Sequence, residues 1–204
     1  MTEEEELELP APIVPGVARA LSPLVRRIAL DIDGVAGPNT YLIGIDEIAV
    51  IDPGPDIAHH LDSIAGCGGD RIRWILSTGT GDQGGIKGLH ARTGALVVTV
   101  GDVGPADADE KVGDDHTILG TEFRLTAMVM PGISDPRACF MLEEERVLFA
   151  GDYFVEDMTS AVADPATLTD TLAVLRRKRL RAVAPGDGHL IENAAKRIDL
   201  LAKS

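Results

Sequence analysis

The chain has 204 residues, a formal charge of −14 and 45% apolar residues, of which aromatic residues make up only 3% of the chain. That length supports a self-sufficient core built mainly from Leu, Ile, Val and Ala. The charge speaks against a nucleic-acid or anionic-membrane partner, since both recruit Lys and Arg.

Two cysteines, Cys67 and Cys139, are too few for a disulfide scaffold, and both are expected to be reduced. No secretory leader pattern follows Met1, and no apolar run approaches the ~18 residues that span a bilayer, so a cytoplasmic location is expected. Residues 1–24 form an acidic segment containing Pro10, Pro12 and Pro15, suited to neither a helix nor an inner strand.

From residue 25 the pattern changes. Residues 25–31, 39–44 and 47–52 are short apolar or alternating runs separated by turns, which predicts an antiparallel meander. Ile57, Leu61 and Ile64 share one face of a predicted helix over 56–66. A buried strand is expected at 72–77, a helix at 84–93 and a second buried strand at 95–100. Residues 101–117 are polar, acidic and glycine-containing, and predict a long exposed loop. Strands follow at 121–130, 137–142 and 146–150, with Glu143, Glu144 and Glu145 in the last turn. A helix at 166–178, a strand at 181–184 and a helix at 190–202 close the chain. Two strand-rich halves, each followed by helices, point to two facing sheets with helices outside.

Four stretches in this order have a familiar look: Gly37-Pro38-Asn39-Thr40-Tyr41-Leu42-Ile43 leading to Ala49-Val50-Ile51-Asp52-Pro53-Gly54; Trp74 to Gly85; Pro131-Gly132 followed by Cys139 to Leu142 and Val147 to Asp152; and Ala184-Pro185-Gly186-Asp187-Gly188-His189. Together they resemble the metallo-β-lactamase-fold hydrolases, especially glyoxalase II-like and small endonuclease-like members. The resemblance covers roughly residues 25–200 and implies a single domain over 25–204. It implies an α+β, four-layer αββα sandwich of two mixed β-sheets with helices on the outer faces.

That family holds two divalent ions with a His-x-His-x-Asp-His loop, a His after a later Pro-Gly, the Asp of a Gly-Asp pair and a final His after Pro-Gly. The ions generate hydroxide and polarise the substrate oxygen. Here the loop aligns in either of two ways, placing Ser77, Gly79, Gly81 and Asp82, or Gly79, Gly81, Asp82 and Gln83, at the ligand positions. Ile133 follows Pro131-Gly132, and Asp187 stands at the final histidine position. Outside the loop only Asp152 keeps the family identity. Glycine and isoleucine offer no ligand atom, so the resemblance implies a degenerate member without the dinuclear zinc site and with no cofactor expected.

The resemblance would bring Asp82, Asp152 and Asp187 to the mouth between the sheets as candidate catalytic carboxylates, with Ser77, Gly79, Gly81, Gln83, Ile133 and His189 lining the cleft. Three carboxylates suit Mg²⁺, Mn²⁺ or Ca²⁺ better than zinc. Without an ion, their repulsion would raise a pKa and create an acid. The simpler reading is that each aspartate caps a helix or accepts backbone N–H bonds in its own loop. His189 and His90, the latter in the helix after the loop, are candidates for a base or ligand, with a surface or hydrogen-bonded structural histidine as the simpler reading of each. His59, His60 and His116 have no partner at metal spacing, and the glycines at 79–85 lack the Lys-Ser or Lys-Thr pair of a phosphate loop.

Two functions follow as expectations. The first is a pseudoenzyme whose cleft binds a small molecule or a protein partner. The alternative is a hydrolase of ester, thioester or phosphodiester substrates using an Asp-rich site, with a hard divalent cation or with metal-free acid–base chemistry. The sequence leaves the oligomeric state open.

Overall fold

A computed structural model describes residues 10–82, 84–133, 137–154 and 162–202. Two β-sheets face one another. The first has seven strands in sequence order: β1 (Arg19–Ala20), β2 (Val25–Ile32), β3 (Val35–Ile43), β4 (Ile48–Ile51), β5 (Ile72–Leu76), β6 (Leu96–Val100) and β7 (Glu110–Val112). The second has five, in the order β12 (Ala182–Pro185), β11 (Val147–Gly151), β10 (Ala138–Leu142), β9 (Arg124–Val129) and β8 (Thr117–Leu119). Both sheets are mixed, with parallel pairing confined to β4–β5–β6–β7 and to β11–β12.

Three apolar layers hold the sandwich together. Tyr41, Ile43, Ile51, Phe123, Phe140 and Phe149 are among the residues packed between the sheets. On the outer face of the first sheet, helices α1 (Ala58–Gly68) and α2 (Gly84–Thr93) bury Leu61, Ile64, Ile86 and Leu89 over Leu42, Val50 and Ile75. On the outer face of the second, α3 (Pro165–Arg177) and α4 (Ala194–Leu201) bury Leu168, Leu172, Leu175 and Ile198 over Met141, Leu148 and Val183. Alternate residues of each strand serve the two faces, as the twofold side-chain period requires. The αββα architecture expected from the sequence is thus the observed one.

Local chemistry explains the boundaries. Asp33 and Gly34, at φ +52° and +83°, make the tight β2–β3 turn whose twist suits paired strands. The Asp164 carboxylate accepts from the N–H groups of Ala166 and Thr167 and opens α3, with Pro165 in its first turn.

Two expectations are corrected. The segment 101–117 carries β7, a short polar strand that adds to the sheet edge beside β6, and it ends at the first residue of β8. The last helix begins at Ala194, not near 190, because Ile191 exchanges both backbone hydrogen bonds with Val183. Both cysteines are free, as expected, with Cys139 fully buried in β10. No helix among the described residues is long and apolar enough to cross a membrane.

Candidate functional site

The C-terminal ends of β4, β5, β11 and β12 meet at one edge of the sandwich, and the loops leaving them enclose a cavity of about 250 Å³. After β4 the chain turns sharply at Asp52, at φ +54°, with the Asp52 N–H bonded to the Leu76 carbonyl 3.0 Å away. An aspartate tolerates this left-handed conformation better than most side chains. The turn aims the Asp52 carboxylate at the start of the next loop. There the Thr78 N–H donates to Asp52 Oδ1 at 2.8 Å, and the Thr78 hydroxyl donates to Oδ2 at 2.6 Å.

Two glycines keep the neighbourhood of this pair and of Asp152 free of side chains. Gly151, at φ +49°, lies so close to the Thr78 hydroxyl that a Cβ there would overlap it. A Cβ at Gly186 would stand 2.6 Å from Asp152 Oδ1. The loops are stitched together by backbone bonds, from Ala138 N–H to Thr78 O at 3.0 Å and from Gly186 N–H to Gly151 O at 2.8 Å.

Burial raises the Asp52 carboxyl to about 6, against the opposing hydrogen bonds from Thr78, and nearby Asp152 adds to the rise. Behind Asp52, the Thr40 hydroxyl donates to the Asp52 carbonyl at 2.7 Å and lies 2.9 Å from His60 Nε2. Because Thr40 spends its proton on Asp52, Nε2 must be the protonated nitrogen of His60. Nδ1 is then a buried acceptor with no hydrogen-bond partner. Burial, followed by the charge of His59, lowers the His60 pKa to about 4, so the ring is neutral near pH 7.

The cavity brings Asp82, Asp152 and Asp187 to one lining, together with Ser77, Gly79 and Gly81. Asp82 is engaged locally, its Oδ1 accepting from the N–H of Gly84 at 2.9 Å at the start of α2. Among the described residues, no group of three or more His, Cys, Asp or Glu side chains is placed to hold a metal ion. Gln83 lies outside the described residues. Ile133 and His189 stand apart from the cavity. Ile133 makes a bridge with Val162 and packs against the core beneath α3, whereas His189 lines a separate groove on the far side of the Gly186–Gly188 turn.

The donor set does not fit a dinuclear zinc centre. Gly81 and Ile133 supply no ligand atom. At Gly79, Arg137 Nη1 stands 3.2 Å and Cζ 3.5 Å from an ideal Cβ position, so the Arg137 side chain lies in contact distance of any side chain placed there.

Three residues of this neighbourhood are not singled out by the sequence. Asp52 sits in an Asp-Pro-Gly stretch that reads as a turn, and its tie to Thr78 spans 26 residues. His60 reads as one of several helical histidines. Arg137 opens an apolar strand and carries no spacing signal.

No family model matches the chain. It is 28% identical over 170 residues to an atrochrysone carboxyl ACP thioesterase of Aspergillus fumigatus, which covers 80% of this chain and 40% of that protein. It is 29% identical over 209 residues to the lactamase-like protein vrtG of Penicillium aethiopicum, covering 96% of this chain and 66% of that one. The chain thus spans from two fifths to about two thirds of the length of these relatives.

Among solved structures, it superposes on a metallo-beta-lactamase family protein of Thermus thermophilus with a TM-score of 0.72, at 18% identity over 90% of this chain and 80% of that one. It matches the DIM-1 metallo-beta-lactamase with a TM-score of 0.73, at 15% identity over 94% and 99% of the two chains. Sheet order and superposition agree: the chain has the metallo-β-lactamase fold.

Proposed function

We propose that the chain uses the cavity at the strand ends to bind a small ligand without zinc-dependent hydrolysis. One observation carries this reading. The cavity is present, yet Gly79, Gly81 and Ile133, none of which offers a side-chain ligand atom, stand where the resemblance calls for zinc ligands. Asp152 and Asp187 add carboxylate acceptors to the wall, which favours a ligand that presents N–H or O–H donors or a positive charge. The hard-cation version of an Asp-rich site has little support, because Asp82 is engaged with the start of α2 and no carboxylate cluster among the described residues is placed for an ion.

A second reading is hydrolysis of a thioester or ester by acid–base chemistry. It is favoured by the names of the relatives, which include acyl-carrier-protein thioesterases, and by Asp52, whose carboxyl at about 6 can exchange a proton near neutral pH. Calorimetry with an acyl N-acetylcysteamine thioester, combined with measurement of thiol release, separates the two. The binding reading expects heat of binding without thiol release, with or without zinc. Thiol release that survives chelation and disappears in Asp52→Asn would instead establish the metal-free hydrolase.

A further inference from the structure

Among the described residues, one buried cation has no carboxylate partner. In β2, Arg27 is only 4% exposed, and Arg19 of β1 is its direct partner in the antiparallel register. Like charges directly opposite on paired strands repel. A buried guanidinium is costly unless something compensates it. In a chain with 33 acidic side chains against 19 basic ones, a carboxylate partner would be the expected remedy.

Among the described residues, no Asp or Glu lies within ion-pair distance of Arg27 or Arg19. The Arg27 guanidinium makes one hydrogen bond, from Nη1 to the Gly188 carbonyl at 3.1 Å. Although only 4% exposed, Arg27 lines the space beside it. That space is a groove of about 570 Å³, bounded by both arginines, His189 and Leu190, with Glu192 as its acidic wall residue and Pro10 and Ala11 on the N-terminal side. Burial lowers the Arg27 pKa, Tyr41 opposes this and Arg19 adds to it.

We propose that this groove is a binding site for an oxyanion, a carboxylate or phosphate group held by Arg27 and Arg19 with His189 at its edge. A guanidinium fork matches either group with two parallel N–H bonds, and an anion would relieve both the burial cost and the cross-strand repulsion. The site lies behind the Gly186–Gly188 turn, outside the carboxylate-lined cavity, and does not depend on the function proposed for that cavity. The same chemistry has two sources: an added ion, or the side chains Glu3 to Glu6, which precede Pro10 by a few residues.

The test is thermal unfolding of the full chain against inorganic phosphate at constant ionic strength. It is run on the unsubstituted protein, on Arg27→Met, on Arg19→Gln, and on a variant with Glu3, Glu4, Glu5 and Glu6 all changed to Gln. Phosphate at roughly ten times its Kd should raise Tm by about 3–6 °C. Either arginine substitution should remove most of that rise, and the exposed Arg19 provides the variant that folds if Arg27→Met does not. A rise seen only after the four glutamates are neutralised supports the site and names the chain's own carboxylates as its occupant. No rise in either background, or an equal rise in both arginine variants, overturns the proposal.

Discussion

Thr78 holds the Asp52 carboxylate with both of its donors, its N–H on one oxygen at 2.8 Å and its hydroxyl on the other at 2.6 Å. This pair joins the end of β4 to the loop after β5 and lies beneath the cavity. Thr78→Val removes the hydroxyl and keeps the shape. Near pH 8, with Asp52 ionised, the loss should be about 2 kcal/mol, the range for a hydrogen bond to a charged group. Near pH 5, where Asp52 is mostly protonated, it should be smaller. Urea denaturation at the two pH values measures the difference.

Asp52 itself makes stability depend on pH. Its carboxyl titrates at about 6 in the fold against an ordinary 3.8, so the folded chain holds a proton that the unfolded chain has released. Its contribution is therefore greatest below pH 3.8 and is lost as pH rises through about 6. Asp52→Asn should abolish that fall, which amounts to about 1–2 kcal/mol once screening at the cavity mouth is allowed for. Stability curves of both proteins between about pH 4 and pH 8 show the effect as a change of slope.

His60 acts in the opposite sense over an overlapping window. Its pKa is about 4 in the fold against 6.5 unfolded, so its contribution is present above 6.5 and is lost as pH falls toward 4. The two slopes partly cancel in the unsubstituted chain. In Asp52→Asn the His60 slope should no longer be opposed by Asp52, and adding His60→Gln should remove that slope. His60→Gln should also cost about 1–2 kcal/mol near pH 7, through loss of the bond to Thr40 and of packing beneath α1.

Gly151 has both a left-handed backbone and no space for a side chain, since a Cβ would meet the Thr78 hydroxyl. Gly151→Ala should destabilise the chain by about 2 kcal/mol or more, combining backbone strain with displacement of Thr78 from Asp52. Combined with Thr78→Val, its cost should fall well short of the sum of the two single effects, because both act on one contact. Denaturation of the single and double variants measures the coupling.

Much of the sandwich is legible in the sequence because its inner strands are apolar runs with clear turns. Residues 48–51, 72–76 and 147–151 have no competing helical pattern. Strand β7 is not legible. Glu110 and Lys111 are exposed polar residues at the sheet edge, where polar side chains protect the unpaired backbone, so the segment reads as a loop. For the site, the missing ligand atoms at 79, 81 and 133 are plain, since residue type alone decides whether a ligand atom exists. The Asp52–Thr78 pair, the Thr40 link to His60 and the facing Arg19 and Arg27 depend on register and on contacts between segments. No local pattern encodes those.

The central claim is that this cavity has lost the means to hold zinc, and the most direct measurement is the metal content of the full chain purified without chelator. Elemental analysis should find zinc well below one ion per chain, with no increase in Tm when zinc is added. Two tightly held zinc ions per chain, removed only by chelation and with a fall in Tm, would contradict it.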